Sequence, residues 1–424
     1  MANTRLTRTF GSGNQQIWTL SFWIKRAELS SAQFLFNTDG GNEEDRLQLN
    51  SANALQWFEQ NSSAGTDAEL TTNQVFRDTS AWYHIVLSRD STQGTASNRI
   101  KIYVNGSQVT SFATATYPSL NDNSRWNSAV LHEIGARNST GYFNGSMSHI
   151  HFIDGTAYDA TAFGEYDANG VWKINTSPSV TYGTNGFFIL KNGNSVTDQS
   201  GNSNNFTVGG GTLTNTEDSP SNVFCTMNPL DTFNSPTITN GNTVCNAGSS
   251  DKSMRSTIGI SSGKWYWEVN TTANNSANMG IINGEAVLTD GNSLQSVSTN
   301  SVIWEGNGGL LFKNGSSVTT EYSGGTATYG FAFDLDNGTL KLSQNGTFYN
   351  SGNAVVTGIT ADTYLPFFAP NGGGSPTEFQ VNFGNGYFGT TAVSSAGTNA
   401  SGNGIFEYDV PTGYTALSTK GLNL

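Results

Sequence analysis

Hydrophobic and polar positions alternate along residues 81–106, which read AWYHIVLSRDSTQGTASNRIKIYVNG. Strand side chains point to opposite faces with a period of two, so this pattern predicts two paired strands. The first strand is largely apolar on both faces, whereas the second places Ile100, Ile102 and Val104 on one face and Lys101, Tyr103 and Asn105 on the other. An Asn-Gly dipeptide, which tolerates positive φ, closes the run.

The second half of the chain repeats this design in residues 329–346, YGFAFDLDNGTLKLSQNG. Phe331 and Phe333 share a face, a DNG turn follows, and Leu340 and Leu342 return on one face. Trp265 and Trp267 also share a face, and we expect them in the same core. The 49 glycines and the many asparagines argue against long helices. Two sandwich cores are therefore predicted.

A turn-rich stretch separates the two halves. Residues 209–222 read GGGTLTNTEDSPSN and offer little to bury. We place the domain boundary there, which predicts one domain over residues 1–212 and a second over residues 213–424.

Composition narrows the possible partners. Charged residues make up only 12% of the chain, and its formal net charge is −13. This charge opposes binding to nucleic acid or to anionic membranes. No run approaches the ~18 apolar residues of a membrane span, and the N-terminus lacks an apolar segment. We therefore expect no membrane insertion and no export by an N-terminal signal.

Two cysteines, Cys225 and Cys245, are too few for a disulfide scaffold. Free buried thiols are predicted, with a single local bridge as the alternative.

Several motifs resemble known families. The sequence LSFWIKR, then WYHIVLSRD, IKIYVNG and IGARNSTGYFNGSMSHIHFIDGTAYD, resembles a laminin-G-like domain of the concanavalin A superfamily. In the second half, SSGKWYWEVN, the DLDNGTL element, YLPFFAP and FQVNFG resemble a SPRY domain. These resemblances imply an all-β fold of two tandem concanavalin A-like β-sandwiches, or jelly rolls. The tail, GIFEYDVPTGYTALSTKGL, is not part of a standard SPRY core.

The tail, together with NGVW, YGTNGF, DQSGNSNNF and CTMNPLD, is similar to passages in virion proteins of marine tailed bacteriophages. That resemblance implies a virion protein assembled in the host cytoplasm. Its expected partners are a host-surface glycan, other virion proteins, or both. Homotrimers are common in phage fibres, so a homo-oligomer is expected, although no heptad or β-helical repeat indicates a trimer.

Three functions follow from this resemblance. The favoured one is a non-enzymatic adhesin, on a fibre or at the particle surface, that binds host glycan through sandwich loops. The alternative is a capsid or tail decoration protein without a glycan ligand. A polysaccharide depolymerase is the least favoured. Such an enzyme needs a carboxylate pair ~5 to 9 Å apart, and the sequence offers no such pair.

Catalytic residues are not predicted. Jelly-roll glucanases carry ExDxxE on one strand, and the nearest approach here is Glu165 and Asp167, with Gly170 in place of the third acid. We interpret this stretch as a solvated turn in a loop. Asp334 and Asp336 likewise indicate a hydrogen-bonded turn.

Calcium is retained as an alternative at one loop. Laminin-G-like relatives often place calcium ligands where Glu43, Glu44 and Asp45 lie, and the ion needs a facing set of oxygens. Arg137 instead puts a cation at the facing position, so an exposed acidic turn is favoured and no cofactor is predicted.

The histidines are predicted to be structural. His149 and His151 are expected to share a strand face, but no third metal ligand is identifiable from spacing. His84 is expected to be a hydrogen-bonded core residue.

Candidate ligand-binding residues are chosen by loop position and side-chain type. Trp304 is included because it lies among turn residues in IWEGNGG, which suggests an exposed loop tip. The candidates are Asp39, Asn42, Glu43 and Asp45, with Arg137, Asn138 and Tyr142 opposite in the first sandwich, and Trp304 and Asn307 in the second.

Overall fold

The computed structural model describes residues 3–38, 43–191, 195–246, 248, 250–272, 277–296, 300–306, 308–318, 321–370 and 378–423. The chain divides into two compact units, Met1–Asn215 and Thr216–Leu424. The second unit begins inside the stretch that the sequence marks as a linker. The all-β prediction is confirmed, because each unit is a pair of large, mainly antiparallel sheets.

The strands of the first unit are β1 (Arg5–Thr9), β2 (Ile17–Arg26), β3 (Gln33–Thr38), β4 (Glu44–Leu49), β5 (Ala54–Gln60), β6 (Thr66–Val75), β7 (Trp82–Asp90), β8 (Ile100–Val104), β9 (Ser107–Gln108), β10 (Phe112–Thr116), β11 (Leu131–Ile134), β12 (Gly145–Asp154), β13 (Gly164–Tyr166), β14 (Trp172–Ile174), β15 (Phe187–Ile189) and β16 (Thr207–Gly210). Short 3₁₀ turns lie at Ala96–Asn98 and Ala160–Ala162.

Two sheets enclose the core of the first unit. The eight-stranded sheet has the order β10-β6-β5-β4-β3-β11-β1-β16, and the six-stranded sheet has the order β15-β12-β2-β7-β8-β9. Trp18 of β2 and Trp57 of β5 meet between the sheets with ring centroids 5.5 Å apart, and both are fully buried. The predicted hairpin forms β7 and β8, which pair with Ile85 opposite Val104. The start of the predicted linker belongs to this unit, because β16 pairs with β1.

The second unit contains β17 (Met227–Phe233), β18 (Thr237–Thr239), β19 (Val244–Asn246), β20 (Ser253–Ser256), β21 (Lys264–Thr271), β22 (Asn278–Asn283), β23 (Ser301–Glu305), β24 (Leu310–Lys313), β25 (Ser316–Ser317), β26 (Thr328–Asp334), β27 (Thr339–Gln344), β28 (Thr347–Phe348), β29 (Tyr364–Ala369), β30 (Glu378–Asn382), β31 (Tyr387–Phe388), β32 (Thr391–Ala392) and β33 (Thr415–Ala416). Its one described α-helix is α1 (Gly291–Gln295), and 3₁₀ turns lie at Asn350–Gly352 and Gly421–Asn423. None of the described helices is long and apolar enough to cross a bilayer.

The sheets of the second unit have seven strands, in the order β17-β20-β29-β22-β23-β24-β25, and eight strands, in the order β18-β19-β30-β21-β26-β27-β28. As predicted, Trp265, Trp267, Phe331 and Phe333 lie in the core between them. The tail contributes to this fold, because its strand β33 pairs with β21 in parallel orientation. Cys225 and Cys245 are both free and buried, which confirms the predicted thiols.

Candidate functional site

The outer face of the six-stranded sheet in the first unit is covered by the chain after β12. Trp172 packs flat against His84, with ring centroids 5.8 Å apart. Its indole N–H donates to His84 Nδ1 at 3.0 Å, and His84 Nε2 lies 2.9 Å from Ser21 Oγ. Burial lowers the pKa of His84 to about 3. His84 is therefore a neutral, hydrogen-bonded structural residue, as predicted.

Both sheets of the second unit are covered in the same way. Phe406, Val410 and Tyr414 of the tail pack on Tyr266, on the outer face of the eight-stranded sheet. On the seven-stranded sheet, Leu294 of α1 packs in a second cluster with Ala286 and with outward-facing residues of β22, β23 and β29. Three of the four large sheets thus bury apolar side chains on their outer faces.

The eight-stranded sheet of the first unit differs, because its outward side chains are polar or planar and most stay partly exposed. We call this surface the open face, and its residues are Phe34, Arg46, Gln48, Gln56, Phe58 and Glu69. Cross-strand pairing aligns them, with Phe34 opposite Gln48, Gln48 opposite Gln56, Arg46 opposite Phe58, and Phe58 opposite Glu69.

Hydrogen bonds and stacking order the side chains of the open face. Gln48 Nε2 donates to Gln56 Oε1, and Gln56 Nε2 donates to Glu69 Oε1 at 2.7 Å. The Arg46 guanidinium lies 3.9 Å from the centre of the Phe58 ring. Such fixed amides and flat rings are the groups that hold a polar ligand in place at little entropic cost.

A cluster of ion pairs around Glu44 borders the open face, and it contains one of the predicted residues, Arg137. We call it the loop edge. Arg137 Nε and Nη2 donate to the two oxygens of Glu44 at 2.8 and 2.7 Å, and Arg46 donates to the same carboxylate. The Arg137 guanidinium also lies 5.5 Å from the centre of the Phe34 ring, which joins the loop edge to the open face.

The other residues predicted in these loops have partners outside the loop edge. Glu43 pairs with Arg125. The Asn138 N–H donates to Glu133 Oε2 at 2.5 Å, and Tyr142 Oη accepts a long contact of 3.5 Å from Arg5. The structure therefore places Arg137 against Glu44, whereas Glu43 pairs with Arg125 and the Asn138 N–H with Glu133.

The prediction for Asp45 is wrong. Asp45 is 1% exposed and lies on the inner side of β4, because alternation turns Glu44 and Arg46 outward and Asp45 inward. Its carboxylate accepts from the Trp126 N–H at 2.7 Å and from Ser124 Oγ at 2.5 Å. Burial, and then the nearby Glu59, raise the pKa of Asp45 to about 8.

The prediction for Trp304 is also wrong. Trp304 is fully buried on β23, where it pairs with Met279 and Leu311 and packs 5.6 Å from the Tyr329 ring. The turn residues that suggested a loop tip begin only after Glu305. The remaining candidates, Asp39, Asn42 and Asn307, lie outside the described residues.

The loop edge does not fit calcium. The ion needs several free oxygens, but both Glu44 oxygens are occupied by guanidinium groups and Asp45 lies on the other side of its strand. Among the residues that the structure describes, no group of three or more histidine, cysteine or acidic side chains is positioned for a metal.

The acids considered for catalysis have structural partners. Glu165 lies on β13, so the prediction of a loop there is wrong, and Asp167 caps the turn to β14 by accepting from the Asn169 and Val171 N–H groups at 2.9 Å. Asp334 accepts from the Asn337 N–H and pairs with Lys264, which confirms the predicted turn.

The paired histidines are packed on an aromatic ring. His151 stacks on Phe188 with ring centroids 3.9 Å apart, and its Nδ1 lies 2.9 Å from Tyr182 Oη. His149 contacts Ser148 Oγ, and a bulge in β12 separates Ser148 from His151. Burial lowers the pKa of both rings.

Sequence reasoning missed the open face itself. The signal was present in β4 and β5, where Arg46 and Gln48 alternate with buried leucines, and Gln56 and Phe58 flank buried Trp57.

Comparison with known proteins agrees with the sandwich architecture. Residues 4–160 match the family model described as the concanavalin A-like lectin/glucanases superfamily. The first unit therefore contains a concanavalin A-like domain, a class that includes lectins and glucanases. No curated protein matches the chain significantly.

Solved structures with some similarity include SPRY domains and a pentraxin. The SPRY domain of human HERC1 matches with a TM-score of 0.31 and 15% identity, over 37% of this chain and 96% of that one. The TRIM65 PSpry domain matches at 0.30 and 12%, over 37% and 91%. The heptameric SAP-like pentraxin from Limulus polyphemus matches at 0.28 and 16%, over 37% and 72%.

Proposed function

We propose that this chain is a non-enzymatic bacteriophage virion protein that binds host-surface glycan on the open face of its first sandwich. The observation that carries the proposal is the open face. It combines ordered amides with partly exposed aromatic rings, while the outer faces of the other three large sheets bury apolar side chains. The loop edge borders this face, and its Arg137 lies 5.5 Å from the centre of the Phe34 ring.

The chemistry of the open face suits a neutral or weakly charged sugar chain. Sugars are held by hydrogen bonds to amide and hydroxyl groups and by stacking on flat rings. The arginines and acids here largely neutralise one another, as in the Arg137–Glu44 pair. The concanavalin A-like domain supports a binding role, and the virion location rests on the resemblance to phage proteins.

Alanine at both Gln56 and Phe58 is expected to weaken glycan binding by about tenfold or more, equivalent to about 1.4 kcal/mol. The double variant removes one flat ring and one ordered amide from the middle of the open face. Binding is measured on arrays of bacterial capsular and lipopolysaccharide glycans. Tyr166→Ala is the matched control, because Tyr166 is a half-exposed aromatic residue on β13, away from this face. Equal binding by the wild type and the double variant would refute the assignment of the site.

Binding to the same arrays is expected to persist in excess chelator. The reason is that guanidinium groups, not a metal ion, neutralise Glu44. Loss of binding on chelation, restored by added calcium, would contradict this expectation.

The virion location is tested by reconstructing purified particles and counting copies. A few copies on a tail or fibre would support host attachment. Hundreds of copies on the capsid shell would favour the decoration role.

A further inference from the structure

One segment of the first unit, residues 155–186 between β12 and β15, packs on the outer face of the six-stranded sheet, and we call it the cover. Its described strands, β13 and β14, pair with each other and with neither large sheet. Every described backbone-to-backbone hydrogen bond of residues 159–181 is likewise made within the cover. The middle of the cover is therefore attached to the sheet by side chains.

Three aromatic side chains of the cover pack on two histidines of the sheet. Trp172 donates its indole N–H to His84 Nδ1 at 3.0 Å, and Tyr182 Oη lies 2.9 Å from His151 Nδ1. The Phe163 ring contacts both histidines, with ring centroids 6.5 Å from His84 and 5.3 Å from His151. Both histidines are buried, so the cover closes directly over them.

The closed cover requires His84 to be neutral. An indole N–H can only donate, so the Nδ1 atom that accepts from Trp172 carries no proton. The same ring contacts Ser21 through Nε2 and stacks on Trp23, and neither neighbour supplies a negative charge. A proton added at Nδ1 would set two donors against each other and bury an unpaired charge.

The surroundings of His151 also oppose a positive charge. Burial, and then His149 on the same strand, His84 on β7 and Lys191 after β15, lower the pKa of His151 well below its usual range. Burial alone lowers the pKa of His84 to about 3. Opening of the cover would admit water to both rings and restore their ordinary pKa of about 6.5.

We propose that the cover opens in acid, when His84 and His151 take up protons, while the sandwich beneath it stays folded. Opening unpairs no strand of either large sheet, and such local openings cost less than global unfolding.

The sign of the pH dependence follows from the two protonation states. Above about pH 6.5 both rings are neutral whether the cover is open or closed, so the closed form keeps its full stability. Below that pH the open form binds protons more readily than the closed form. The opening constant then rises by up to about tenfold per pH unit for each histidine, and by about a hundredfold for the two together.

The test is hydrogen exchange of the full chain from about pH 7 to about pH 4, read by mass spectrometry of its peptides and corrected for the intrinsic effect of pH. Protection of residues 155–186 should fall steeply below about pH 6, whereas β2 and β7 remain protected. His84→Gln should halve this slope on a logarithmic scale, because its amide oxygen still accepts from the indole but takes up no proton. If His84→Gln leaves the cover open at pH 7, His151→Gln provides the same test.

His149→Asn is the matched control, because the His149 ring contacts Ser148 and Phe188, which lie outside the cover. Asparagine also tolerates the φ of 47° at this position. The control should leave the slope unchanged. A cover that stays protected throughout, or that loses protection together with β2 and β7, would overturn the proposal. So would a slope that neither His84→Gln nor His151→Gln reduces. None of these outcomes depends on glycan binding.

Discussion

Replacing Arg89 with methionine is expected to lower the free energy of unfolding of the first unit by about 3–5 kcal/mol, the usual cost of breaking a buried ion pair. Arg89 is fully buried and forms two hydrogen bonds with the Glu59 carboxylate, at 2.9 and 3.1 Å. It also pairs with Asp122 at 2.8 Å and donates to the Gln15 carbonyl at 2.9 Å. Methionine fills a similar volume but leaves Glu59 buried without a cation.

The measurement is denaturant unfolding of the full chain, followed by tryptophan fluorescence. Arg125→Met is the control, because the Arg125–Glu43 pair is partly exposed and such pairs contribute about 1 kcal/mol or less. If both variants lose similar stability, then the buried network does not have the role assigned to it.

The second large loss of stability is expected on substitution of Glu268. This residue is fully buried on β21 and accepts hydrogen bonds from the tail. Its carboxylate accepts from the Glu407 and Tyr408 N–H groups, both at 2.9 Å, and from Tyr266 Oη at 3.1 Å and Asn382 Nδ2 at 3.3 Å. Glu268→Gln turns an amide N–H₂ toward some of these donors. At pH 5 we expect a loss of about 2–4 kcal/mol, because each unmatched buried group costs about 1–3 kcal/mol.

The contribution of Glu268 depends on pH. Burial raises its pKa from the ordinary value of 4.5 to about 7, so the neutral form is favoured in the folded state. The stability linked to this group is therefore fully present below about 4.5. It is lost as pH rises through about 7, in total about 3 kcal/mol.

The pH effect is measured by unfolding the wild type and Glu268→Gln at pH 5 and pH 8. The free energy of unfolding of the wild type should exceed that of Glu268→Gln by a larger margin at pH 5 than at pH 8. Glu285 is at an exposed position in the same unit, so Glu285→Gln should have the same free energy of unfolding as the wild type at both pH values. If the stability difference between the wild type and Glu268→Gln were the same at both pH values, the raised pKa of Glu268 would be contradicted.

Much of the fold follows from local patterns. The strand pair predicted within residues 81–106 is observed as β7 (Trp82–Asp90) and β8 (Ile100–Val104). The turn at Asp334 and the core positions of Trp265 and Trp267 were also predicted. Each of these features depends on alternation along one strand or on a turn of a few residues, which neighbouring side chains specify.

The candidate site was predicted only in part. Arg137 was correctly placed facing the acidic stretch, where it pairs with Glu44. Trp304 was misplaced because its direction depends on its cross-strand partners, Met279 and Leu311, and not on the glycines that follow it in sequence. Asp45 was misplaced because a strand starting at Glu44 turns every second acid inward.

By itself, the sequence determined the all-β class, the strands and the turns, because these depend on residues close together in the chain. Only the tertiary structure decided which sheet faces are covered and which one remains open. Trp172 reaches His84 across 88 positions, and the tail reaches Glu268 across about 140. Such contacts depend on how distant segments fold back over a sheet, and that information is not present in the local alternation of any strand.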